Sequence, residues 1–139
     1  MTTVHFTNAY HSSSGGIRTF YHALLAAAPH HGRHVRLVVP GDRDGVEEVN
    51  PFARIYTVHA RRSPVVDSRY RLILPHRFVW PGAGALWSIL DRERPELIEI
   101  CDKYSLCHLA GVMRKLRRRR PALVGLTCER MDDLSLIHI

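Results

Sequence analysis

Apolar and polar positions along this chain switch repeatedly between a period of two and a period near 3.6, which lays out strands and helices in turn. Thr3-Val4-His5-Phe6 is a short apolar run that predicts a buried strand. Ile17, Phe20, Tyr21, Leu24, Leu25 and Ala28 recur three and four apart, the spacing of one helix face. His31-Gly32 is a stop signal, and His34 to Val39 predicts a second strand ended by Pro40-Gly41. A polar loop, Asp42 to Asn50, leads to a third strand over Arg54 to His59. Arg71-Leu72-Ile73-Leu74 has the character of an edge strand. Pro64, Pro75 and Pro81 interrupt it, so Arg61 to Pro81 reads as a long loop with a hairpin-like element. Gly84 to Arg94 predicts a helix with Leu86, Ile89 and Leu90 turned inward and Pro95 closing it. Leu97 to Cys101 is a fourth strand. Ser105 is placed to cap a further helix whose Leu106, Leu109, Ala110, Met113 and Leu116 share a face, and Pro121 ends it. Ala122 to Thr127 completes the pattern as a fifth strand.

Strands alternating with amphipathic helices predict an α/β fold: a Rossmann-like doubly wound parallel sheet in three layers, α/β/α. Ligands of such sheets bind beyond the carboxyl ends of the strands. Here those ends carry Asn8 to Gly16, Cys101 to Tyr104, and Cys128 to Asp133.

The first of these holds the strongest pointer to chemistry. Ser12-Ser13-Ser14-Gly15-Gly16 runs straight into the first helix, so small residues sit where a strand hands over to a helix N-terminus. Unpaired N–H groups and the helix dipole attract anions there, phosphate above all. The turn is long and its glycines are adjacent, which does not fit the G-x-G-x-x-G of dinucleotide-binding domains. No Lys-Ser/Thr follows, which excludes a Walker-type loop. The plainer alternative is a glycine turn that only permits positive φ or close helix packing. At the second site, Asp102, Lys103 and Tyr104 are candidates to hydrogen-bond a polar substrate, with a helix-capping role for Asp102 as the alternative. The third, Cys128-Glu129-Arg130-Met131-Asp132-Asp133, fits either a binding mouth or plain solvent exposure. Ten histidines suggest metal, but His5, His11, His59, His76 and His108 lack ligand spacing, so no metal site is expected.

Composition narrows the classes. The 139 residues suit one domain with a real core, and contents of 45% hydrophobic and 24% charged are those of a globular protein. No apolar run approaches the roughly 18 residues of a membrane span, and no secretory signal is expected. Cys101, Cys107 and Cys128 are odd in number and without CxxC spacing, which reads as reduced cytoplasmic thiols. The net charge of +7 is uneven. Arg61, Arg62, Arg69, Arg71 and Arg77 form one cluster, and Arg114, Lys115, Arg117, Arg118, Arg119 and Arg120 another. Such fields favour anionic partners, although a solvated helix end would carry the same charges.

Taken in order, the polar turn with Ser14-Gly15-Gly16, the helix with Leu24-Leu25, and His31 to Gly41 resemble the N-terminal domain of family 4 glycosyltransferases. Arg94-Pro95-Glu96-Leu97-Ile98-Glu99-Ile100 is similar to a strand of that family, and Leu123 to Cys128 to the strand after it. The resemblance covers residues 2 to 133 and implies the N-terminal half of a GT-B fold, two Rossmann-like domains around a cleft. It further implies a retaining transfer of sugar from a nucleotide-sugar donor to a hydroxyl acceptor. The nucleotide sugar would be substrate, with no separate cofactor. Ser14, Gly15 and Gly16 would face the donor phosphates and sugar. Asp102, Lys103, Tyr104, Glu129 and Arg130 would line the acceptor side, with Cys128 and Glu129 at the family's active-site loop. Lys115 and Arg117 to Arg120 would give peripheral contact with anionic lipid at the inner face of the membrane.

Three departures stand beside this. Where many members carry histidines after the fourth and fifth strands, this chain has Glu99, Cys101 and Cys128, and a thiol bonds a sugar hydroxyl less well than an imidazole. The donor-binding domain with its paired glutamates, which the resemblance implies, is expected to lie outside this chain. Leu134 to Ile139 reads as a non-native tail, so residues 1–133 are expected to be an incomplete domain, inactive alone. The alternative is a stand-alone Rossmann-like module that binds a nucleotide or anion without chemistry. Nucleic-acid binding through Arg117 to Arg120 is the least favoured reading and predicts steep salt dependence.

Overall fold

Thr2–Thr7 forms β1, the strand around which the rest is arranged in this computed structural model. The structure describes residues 1–12, 15–63, 71–74, 84–101 and 121–126. After β1 come α1 (Gly15–Ala27), β2 (His34–Gly41), β3 (Gly45–Asn50), β4 (Ala53–His59), α2 (Ala85–Glu93), β5 (Leu97–Cys101) and β6 (Ala122–Gly125). They make one six-stranded sheet in the order β3-β4-β2-β1-β5-β6. Every pairing is parallel except β3 with β4. This is the expected α/β, Rossmann-like sheet. Strand order runs outward from β1 to β4 on one side and resumes with β5 on the other. The switch point therefore falls between β1 and β5, where such sheets open a crevice.

Side-chain parity divides the core between two faces. Val35, Leu37 and Val39 of β2, with Ala53 and Ile55 of β4, pack under Tyr21, Leu25 and Ala28. Val4, Phe6, Val38, Tyr56, Val58, Ile98 and Ile100 pack under Leu86, Ile89 and Leu90 of α2. Strands covered on both faces are apolar over much of their length, which is why Leu37, Val38 and Val39 of β2 follow one another without alternation. The expected inward face of α1 needs one correction: Phe20 is exposed and stacks edge-on against Tyr21. Ile17 and Leu24 are half-buried at the margin of that core.

Two other expectations are revised, those for Pro40-Gly41 and for Asp42 to Asn50. Pro40 and Gly41 belong to β2, pairing with Val58 and His59. The β1–β2 ladder stops at Phe6 and Val38, so β2 has an open side at that point and tolerates a proline. The polar loop Asp42 to Asn50 contains β3, an antiparallel edge strand. Its side chains are exposed, so no buried face imposed an alternation, and Glu47 and Glu48 keep the free edge solvated. Arg71 makes a single antiparallel bridge to Arg62, and residues 72–74 form no strand. The stop after α1 is a short 3-10 turn, Pro29–His31, capped by Gly32 at φ 56°. Arg94 takes the same left-handed position after α2, its N–H bonding the Leu90 carbonyl. The helix expected after Ser105 lies outside the described residues.

Candidate functional site

The carboxyl ends of β1 and β5 and the start of α1 meet on one side of the switch point. Thr7 pairs with Cys101 at the last rung of the β1–β5 ladder, and Asn8 follows, buried. α1 then begins at Gly15, and its first turn carries no acidic residue. Gly15 and Gly16 are exposed, and a Cβ on either would meet nothing within 4 Å among the described residues. Neither has positive φ; Gly32 is the described glycine that does. Both plain reasons for glycine at this turn, backbone twist and close packing, are therefore absent from the described neighbourhood.

One turn into α1, Arg18 reaches forward so that its Nε donates to His22 Nε2 at 3.3 Å. Its guanidinium lies 5.8 Å from the centre of the Tyr10 ring, and the Tyr10 hydroxyl is 3.1 Å from the same His22 nitrogen. A cation so near a helix N-terminus opposes the dipole, an arrangement that an incoming anion would relieve.

A second polar group lies beneath α1. His5 of β1 and Glu99 of β5 are partners in register, with Nδ1 and Oε1 3.0 Å apart. A carboxylate only accepts, so Nδ1 donates; Nε2 lies 2.9 Å from the Thr3 hydroxyl. Tyr21 of α1 donates to the same Glu99 oxygen at 3.3 Å. Burial works to raise the Glu99 carboxyl. The hydrogen bond and charge of His5 and the bond from Tyr21 outweigh it, and the group sits below its usual range. Burial, with Cys101 and Glu99 beside it, pushes the Tyr21 phenol far above its usual range. Glu99 and Cys101 thus lie on the α1 face of the sheet.

The other rim carries residues 71–74. Residues 71–74 cross the carboxyl ends of β1, β2 and β4. Ile73 N–H bonds Asn8 Oδ1 at 2.9 Å, and its side chain is fully buried in the α2-side core. Arg71 donates to the Ala60 carbonyl at 2.7 Å and to the Asp42 carboxylate. Leu72 N–H reaches Arg61 O at 3.4 Å.

Over 135 residues, 97% of its length, this chain is 30% identical to a GDP-mannose-dependent alpha-(1-6)-phosphatidylinositol dimannoside mannosyltransferase of Mycobacterium tuberculosis, found in two strains. The chain is similar to a glycosyltransferase. It spans about a third of the length of those relatives, 32%. No protein-family model and no solved structure matches it.

Of the residues singled out from sequence, the structure brings Gly15 and Gly16 to the switch point. Ser14, Asp102, Lys103, Tyr104, Cys128, Glu129 and Arg130 lie outside the described residues, as do Lys115 and Arg117 to Arg120. Among the described residues no three His, Cys, Asp or Glu gather as a metal site. No described helix is long and apolar enough to cross a membrane. The His5–Glu99–Tyr21 group was not foreseen. Its signal was present: a polar residue in the middle of each of two apolar runs, Val4-His5-Phe6 and Ile98-Glu99-Ile100.

Proposed function

We propose that this chain is the N-terminal, acceptor-side domain of a retaining family 4 glycosyltransferase of GT-B fold. Gly15 and Gly16 face the diphosphate of a nucleotide sugar. One observation carries the reading: the glycine start of α1, with no structural demand for glycine among the described residues, lies at the switch point of a sheet similar in sequence to a mannosyltransferase. Backbone N–H groups of that first turn would stabilise the leaving diphosphate as charge develops on it. Arg18 would add a cation beside them. Following the relatives' printed names, the donor is GDP-mannose and the acceptor a phosphatidylinositol-linked mannoside.

Asp102, Lys103, Tyr104, Glu129 and Arg130 would contact the acceptor, with Cys128 and Glu129 nearest the reacting atoms. Lys115 and Arg117 to Arg120 would hold the domain against anionic lipid from the cytoplasmic side. The donor-binding half, with its paired glutamates, would lie beyond residue 133, and 1–139 alone would not catalyse.

The test is transfer by the protein expressed from its complete reading frame. It is incubated with GDP-mannose and mannosylated phosphatidylinositol, and the product is read by mass spectrometry. Addition of one hexose, with the anomeric configuration retained by NMR, supports the reading. Binding of GDP-mannose without any transfer to lipid or sugar acceptors would favour a binding module instead.

A further inference from the structure

The two faces of the central strands differ in a way that packing alone does not require. On the α2 face, β1 and β5 present Val4, Phe6, Ile98 and Ile100, all apolar and buried. On the α1 face the same strands present Thr3, His5 and Glu99, tied to one another and to Tyr21. The side chains of His5 and Glu99 are 6% and 16% exposed, and Tyr21 is fully buried. A buried ionic group in a parallel sheet is costly, and apolar residues of similar volume would commonly stabilise the fold as well or better. On β1 and β5, the strands flanking the switch point, the polar side chains fall on the α1 face, which points to a demand other than stability.

That helix is the one whose first turn carries Gly15 and Gly16. An apolar contact is non-directional. Hydrogen bonds are directional. Tyr21 Oη to Glu99, Glu99 to His5, His5 to Thr3 and Thr3 Oγ1 to the His34 carbonyl (3.4 Å) form one chain of contacts linking α1, β5, β1 and β2. The comparable group on the other face, Arg36, Glu93 and Tyr56, instead ties the C-terminal end of α2 to the sheet. It holds no element that opens at the crevice.

We propose that Glu99, held by His5 and bonded by Tyr21, is a positioning group that fixes α1 axially and so sets where its first-turn N–H groups stand for a ligand diphosphate. The inference rests on the reading of that turn as a diphosphate site. Backbone donors act only on a group placed to within a fraction of an ångström, so a helix free to shift loses recognition of the diphosphate before it loses its fold. Glu99 touches neither diphosphate nor sugar in this role; it acts through α1.

The experiment compares GDP with guanosine, which lacks the diphosphate, by calorimetric titration of the protein from the complete reading frame. Thermal midpoints are recorded alongside. Wild type should bind GDP more tightly than guanosine. Tyr21→Phe, which removes one hydroxyl and keeps the ring, should weaken GDP by about tenfold and leave guanosine unchanged. Glu99→Gln should do the same. A purely structural role would move both ligands together, or neither, and would overturn the inference. If Glu99→Gln does not fold, Tyr21→Phe decides alone. Wild type that binds GDP no better than guanosine would overturn the diphosphate reading itself. A preference for GDP retained in every folded variant would overturn only the positioning role.

Discussion

Arg36 Nε and Glu93 Oε2 lie 2.7 Å apart with both side chains less than a tenth exposed, joining the third residue of β2 to the last residue of α2. Elsewhere on the guanidinium, Nη1 donates to Phe52 O at 2.8 Å and Val35 O at 3.2 Å, and Nη2 lies 3.4 Å from His34 Nδ1. Tyr56 donates its hydroxyl to the other Glu93 oxygen, and Arg54 stands 3.7 Å from it. Removing one member of such a pair strands the other. Arg36→Met should therefore cost about 3 kcal/mol in urea unfolding, and Arg36→Met with Glu93→Leu should recover most of it. A double variant no more stable than the single would show that the pair itself, and not the orphaned carboxylate, carries the loss.

The same carboxylate sets a pH dependence. Burial alone would raise Glu93, but hydrogen bonds from Tyr56 and Arg36 and the charges of Arg36 and Arg54 prevail and lower it. Glu99 is lowered for the parallel reason. A carboxyl lower in the folded chain than in the unfolded one stabilises the fold fully above its unfolded pKa. That contribution is lost as pH falls through the folded value. Urea midpoints should thus fall steadily from about pH 5 downward. Glu99→Gln should flatten that decline. An unchanged slope in the variant would contradict the assignment.

How far the sequence foretells this molecule follows from where burial writes a pattern. β1, β2, β4 and β5 lie between two helical layers, and each shows as an apolar run. Pro95 and Gly32 mark where α2 and the turn after α1 stop. β3 has no buried face, so Gly45 to Asn50 carries no alternation and reads as loop. The bend that buries Ile73 is set by Asn8, sixty-five positions away in sequence, and local pattern cannot express it. At the site, Gly15 and Gly16 are legible because adjacent glycines before a helix face are rare punctuation. His5 and Glu99 are two isolated polar residues until strand register puts them side by side.

Gly41 pairs with His59 at the end of β2, and a Cβ there would overlap Thr57 Cγ2. Thr57 is β-branched and cannot swing every substituent away. Gly41→Ala should destabilise by about 1–3 kcal/mol, and Thr57→Ala in the same chain should relieve most of that. Equal and additive losses in the two single variants would place the strain elsewhere.

Ile73 anchors residues 71–74 over the strand ends by burial, and Asn8 anchors them by accepting its N–H. Ile73→Ala should cost about 2–5 kcal/mol, the range for a large aliphatic truncation in a core. Asn8→Ala should cost about 1–3 kcal/mol, chiefly by leaving a buried N–H without its acceptor. Because the two share one contact, their effects should fall short of adding. Hydrogen exchange at the Ile73 amide reports the same event locally. Its protection should drop in Asn8→Ala more than protection across β2, and a uniform drop would mean that Asn8 supports the whole sheet.

Gly15→Ala separates folding from function most sharply. With no positive φ to accommodate and no described atom within 4 Å of the added Cβ, alanine fits the backbone as it stands. Glycine is the poorer helix former, so the variant should match wild-type stability or exceed it by up to about 1 kcal/mol. A diphosphate seated against the first-turn N–H groups would meet the new methyl directly, and GDP affinity should fall while guanosine affinity holds. The two measurements move in opposite directions only if glycine is kept for an approaching ligand. A variant that is both less stable and unchanged in GDP binding would return Gly15 to an ordinary turn residue.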